Sequence, residues 1–134
     1  MDAQEFFRDI VSPNYHEFFS YPNDVRRLWN AVISMNSVAD YMAVGQIGYR
    51  PASRQELQDL ADKLREDHGL EDLEVCADAL KHLRKTGGSR SKFEVTATTT
   101  DVSSDAATWT INGLDLVDVL RRAFEKLKDI PELK

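Results

Sequence analysis

The chain has 134 residues, 42% of them apolar and 30% charged, with a net charge of −6 and a pI near 5.0. That is ordinary globular composition for one domain over residues 1–134, and it argues against disorder. One cysteine, Cys76, excludes an internal disulfide framework, no run approaches the apolar length of a membrane span, and the acidic start MDAQEFFRDI reads unlike a secretory signal.

The charge is uneven. Residues 1–24 sum to −4 (one Arg, five Asp/Glu) and 51–72 to −4 (three basic, seven acidic), whereas 73–92 sum to +3 (five basic, two acidic). A negative total disfavours long-range attraction to nucleic acid. It keeps a chain soluble, and it also suits docking on a basic groove of a partner.

In chain order, Phe6, Phe7, Ile10 and Val11 share a helical stripe. Pro13 lacks a backbone donor and ends, kinks or restarts that helix. Phe18 and Phe19 then turn inward on a second short segment. YPND stops the chain, and Asn23 or Asp24 caps the next helix.

That helix, 25–44, is apolar on several sides. Val25, Leu28, Trp29, Val32, Met35, Ala39 and Met42 recur at helical spacing, and Ile33, Val38, Tyr41 and Val44 add to its circumference. Such a helix belongs in the middle of a bundle. GQIGYRPAS reads as a loop broken by Gly45, Gly48 and Pro51. Ser53 and Glu56 form a capping box. Leu57, Leu60, Ala61 and Leu64 then form a stripe, with Asp59, Asp62, Lys63 and Glu66 facing water.

The next helix, 71–85, places Leu73, Cys76, Ala77 and Leu80 on one face. Acids at its start and Lys81, Arg84 and Lys85 near its end match the helix dipole. Gly87-Gly88 stops it.

The period then falls to two. Phe93, Val95 and Ala97, then Ala107, Trp109 and Ile111, alternate with polar residues around a turn at 101–105. This predicts a β-hairpin with one apolar face. A last helix, 114–127, buries Leu116, Val119, Leu120, Ala123 and Phe124. The predicted fold is α+β and mainly α: four or five helices with a hairpin before the last.

Three constellations bear on function. On helix 71–85, Asp78 pairs by spacing with Lys81 and with His82. A carboxylate can orient an imidazole as a general base, which gives a hydrolase or nuclease reading with His82, Asp78 and Lys81. A charged imidazole near a helix C-terminus is equally a structural feature. Cys76 lies on the opposite side, as a small core residue. No zinc spacing links His16, His68 and His82, so no metal or cofactor is expected.

On helix 25–44, Arg26, Asn30, Ile33, Ser37 and Asp40 or Tyr41 line one stripe beside the fully apolar one. Asn30 needs a partner if buried. Asp40 can pair with Lys81, Arg27, Arg50 or Arg54, fixing helix register. The alternative is a pocket where Asn30, Asp40, Asp78, Lys81 and His82 converge. In KHLRKTGGSRSK, glycines beside Arg84 and Arg90 can approach phosphate. GxxxxGK[ST] is absent, however, and a helix C-terminus repels anions.

LWNAVISMNSVADYM followed by CADALKHLRK resembles a scattered group of small uncharacterised bacterial helical proteins. Their pattern is a helix with Asn-Ala and a later Asp, then a helix ending D-x-x-K-H. Here those positions are Asn30-Ala31, Asp40, Asp78, Lys81 and His82. The likeness covers about residues 20 to 90 and brings no activity with it. The chain is also distantly similar to helical bundles of the HEPN type. It departs from their arginine–histidine motif, because seven residues separate Arg8 from His16 and two separate Arg65 from His68. A HEPN ribonuclease is not implied.

The expectation is a non-enzymatic, cytoplasmic domain of bacterial or phage origin that binds another protein, as an inhibitor, antitoxin or immunity protein does. Asn30, Asp40, Asp59, Asp62, Glu66, Arg84 and Arg90 are its candidate binding residues. The rival readings are the enzyme above and a homodimer built on the hairpin edge.

Overall fold

The computed structural model describes the backbone of residues 1–86, 95–101, 104–111 and 113–134, and the side chains of 1–81, 109–111 and 113–134. The chain opens on a capping box. The Asp2 carboxylate accepts from the Glu5 N–H at 2.8 Å, and the Asp2 N–H donates to the Glu5 carboxylate at 3.0 Å. Two orphan donors of a helix start are thereby satisfied.

Helix α1 (Ala3–Phe6) widens into a π-turn (Phe7–Val11) and continues as α2 (Ser12–Ser20). Pro13 accounts for the widening. In an α-helix its ring presses on the carbonyl four residues back. A π-turn takes up one extra residue, here with the Ser12 N–H donating to the Phe7 carbonyl. Pro13 therefore restarts the helix. The turn keeps Phe6, Phe7 and Val11 buried and leaves Ile10 exposed, contrary to the simple stripe.

Asp24 caps α3 (Val25–Ile47) by accepting from the N–H groups of Arg26 and Arg27. Leu28, Val32, Met35, Val38, Ala39 and Met42 are buried, while Val25 and Val44 at the two ends are exposed. The helix passes through Gly45, which was expected in the loop. It stops at Gly48, whose φ of 65° suits glycine. α3 is the central helix: it touches α1, the π-turn and α2, and on its other sides the three α-helices that come after it in the chain.

Ser53 caps α4 (Arg54–Asp67) by accepting from the Glu56 N–H at 3.1 Å. The other half of the predicted box is replaced by an ion pair, in which Arg50 donates to the Glu56 carboxylate at 3.0 Å. Ala61 and Leu64 are buried, with Leu57 and Leu60 packed partly against the core. α5 (Glu71–Thr86) buries Leu73, Cys76, Ala77, Ala79 and Leu80.

Strand β1 (Val95–Asp101) pairs antiparallel with β2 (Ser104–Ile111), with Val95 opposite Ile111 and Ala97 opposite Trp109. A short β3 (Leu114–Asp115) folds back on the end of β2. The last helix consequently starts later than expected. Asp115 caps α6 (Leu116–Lys128) by accepting from the N–H groups of Val117 and Asp118.

α6 buries Leu116, Val119, Leu120, Ala123, Phe124 and Leu127. β2 packs on α6, through buried Trp109 and Ile111. The Trp109 indole N–H donates to the Pro22 carbonyl at 2.7 Å, pinning the hairpin base to the α2–α3 corner. Trp29 is partly buried against the core. The Tyr15 ring lies flat on Phe124, with centroids 4.0 Å apart. The predicted strand residue Phe93, the Gly87-Gly88 stop and positions 102–103 of the predicted turn lie outside the described residues. Among the described residues no helix is long and apolar enough to cross a membrane.

Candidate functional site

Four residues after Ala61, at a position the apolar stripe of α4 should hold, stands Arg65. It is buried. A buried guanidinium is costly unless it is paired and hydrogen-bonded. Here Nε donates to Asn36 Oδ1 at 3.1 Å, Nη2 to the Asn36 carbonyl and to Asp40 Oδ2, each at 3.0 Å, and Nη1 to Asp62 Oδ1 at 3.1 Å. The planar fork of arginine suits such divergent acceptors, as a lysine ammonium would not. Asn36 is itself buried, on α3.

The burial is one-sided. The Arg65 side chain is 4% exposed, whereas those of Asp40 and Asp62 are 52% and 48% exposed. The positive charge is enclosed, and the carboxylates it holds look outward. Asp59 and Glu66 are exposed on the same helix, three and four residues to either side of Asp62. They therefore share its face. Asp59 accepts from Gln55 at 2.8 Å, and Asp62 also accepts from Gln58 at 3.0 Å.

From α5, half-buried Glu74 joins this group. Burial raises its proton affinity above the usual carboxylate range. Arg65 opposes the rise, while Asp62, Asp78 and a hydrogen bond with Asp62 reinforce it. The arrangement is an acidic face across α3, α4 and α5, organised around one enclosed cation. Among the described residues no group of histidine, cysteine, aspartate and glutamate has the form of a metal site.

The expected site residues divide. Asp40, Asp59, Asp62 and Glu66 fall on or beside this face. The partner of Asp40 is Arg65, not Lys81, Arg27, Arg50 or Arg54. Arg27 is taken by Glu17 and Asp24, and Arg50 by Glu56. Asn30 does not join them. It is exposed and lies ten residues from Asp40, about 15 Å along the helix axis. Its carbonyl accepts from Ser34, whose hydroxyl accepts from Asn14 at 3.3 Å.

Asp78 and Lys81 are exposed on α5. The side chains of His82 and Arg84, and all of Arg90, lie outside the described residues. Cys76 is buried, and burial, with a smaller contribution from Asp72, pushes its thiol up to about 12. It stays protonated at neutral pH and is no nucleophile.

Arg65 and Asn36 were not among the expected site residues. Their signal was available: each puts a polar group where helical spacing asks for an apolar one. Compared with known protein families, curated proteins and solved structures, the chain matches none.

Proposed function

We propose that this chain is a small protein-binding domain of bacterial or phage type. It acts in the cytoplasm as inhibitors, antitoxins and immunity proteins do, by laying its acidic face on a basic surface of another protein. One observation carries the reading: buried Arg65 fixes Asp40 and Asp62 from behind and leaves both carboxylates half in water. Carboxylates held in place before contact lose less freedom on binding. A fixed negative field also speeds encounter with a basic partner and discriminates against acidic ones. The same field disfavours nucleic acid.

The test begins with capture of partners from host lysate on the immobilised chain, identified by mass spectrometry. The purified partner is then titrated against wild type and against Asp59→Lys with Glu66→Lys. Both positions are exposed, so the substitutions leave the core untouched, and circular dichroism should match wild type. Affinity should fall by about tenfold or more, and the salt dependence of binding should flatten. Equal affinity for the two proteins would refute the acidic face as the contact.

A further inference from the structure

The C-terminal end of α3 carries apolar surface that the core leaves uncovered. Val44 is 56% exposed and Met1 66%, and Tyr49, on the turn beyond, is fully exposed. Met1, Asp2, Asp40, Tyr41, Val44 and Gly45 line an open groove of about 440 Å³. That is within the size range of ligand pockets.

Its walls are fixed from several sides. The Tyr41 ring stacks on Phe6, with centroids 4.1 Å apart. Asp2 is held as the cap of α1, and Asp40 by Arg65.

Gly45 stands inside α3, where glycine weakens a helix relative to alanine. Packing does not require it: a Cβ at this position meets nothing within 4 Å. Gly45 thus lines the groove with backbone alone.

We infer that this groove receives an apolar side chain from a basic amphipathic segment of the partner protein, with flanking lysine or arginine on Asp2 and Asp40. This rests on the protein-binding reading above and names the chemistry of the segment that is bound. Apolar walls under two carboxylates select an apolar group with cationic neighbours. They repel an acidic segment, and a second copy of this net-negative chain is disfavoured in the same way. Asp40 belongs both to the groove and to the acidic face, so one partner can cover the two together.

The probe is a synthetic amphipathic peptide of about four helical turns, with leucines and one tryptophan on one face and lysines on the other. One control replaces lysine by glutamate, and a second replaces the apolar residues by serine. Amide NMR shifts and fluorescence anisotropy are read on the full chain. The lysine peptide should shift Tyr41, Val44 and Gly45, and each control should bind about tenfold more weakly or worse.

Gly45→Leu fills the groove and favours the helix, so it should lose the peptide while its Tm holds or rises. Val44→Ser, at an exposed position, should weaken binding without unfolding. Asp2→Asn keeps the cap and should weaken binding by losing the charge. The inference is overturned if Gly45→Leu or Val44→Ser binds the lysine peptide as wild type does, if the glutamate peptide binds as tightly, or if the shifts fall on Asp59, Asp62 and Glu66 and spare Tyr41, Val44 and Gly45.

The captured partner separates the two readings. If it tolerates Gly45→Leu but not lysines at 59 and 66, the acidic face stands and the groove falls. The reverse result removes the face and keeps the groove.

Discussion

Glu74 is the member of the acidic face whose proton affinity burial raises. Asp62 and Arg65 reach it from α4, and Asp78 lies along its own helix. Asp40 stands beyond the shared arginine. Because the folded chain holds the Glu74 proton more firmly than the unfolded chain does, its contribution to stability is complete below the ordinary carboxylate value. It is lost as pH rises through the folded value. Glu74→Gln cannot ionise, and its amide can donate to Asp62. Melting curves from about pH 4 to about pH 7 should therefore show the variant gaining on wild type as pH rises. Parallel curves would mean that Glu74 is solvated like an ordinary surface acid.

The π-turn and Pro13 illustrate coupling within one element. Deleting Asp9, an exposed residue paired locally with Arg8, should close the turn to α-helical bonding. Pro13 would then press on the carbonyl four residues back, at a cost of about 3 kcal/mol. The same deletion made with Pro13→Ala should cost much less. Urea unfolding midpoints of the four proteins give the cycle, and equal costs in both backgrounds would break the link.

Much of this organisation was legible from local pattern. The stripe of α6, the alternation that pairs β1 with β2, and the caps at Asp24 and Ser53 all rest on neighbours within a turn or a ladder. Arg65 with Asn36 was not legible, because its hydrogen bonds join residues 29 positions apart. Spacing alone cannot tell which polar intruder meets which. Gly45 was read as a breaker for a related reason: a helix end depends on the residues beyond it, and Gly48 with its positive φ supplied the stop. The site was legible to the same degree. The acids of α4 and the out-of-place Arg65 are visible in the sequence, whereas the contacts that bring Arg65 to Asn36 and Asp40 are not.

Across the whole molecule, the packing about α3 ties the other α-helices to one helix, so opening that core should be a concerted event. Cys76, wholly enclosed in α5 with its thiol raised to about 12, sits within that core. Folded protein should give almost no reaction with a maleimide at neutral pH, and labelling should rise along the same denaturant curve as the circular dichroism signal. Labelling ahead of that curve would reveal α5 lifting away by itself. The native sulfur thus acts as a silent clock: it records how often the molecule comes apart, and it leaves any cysteine placed on the surface free to carry a dye.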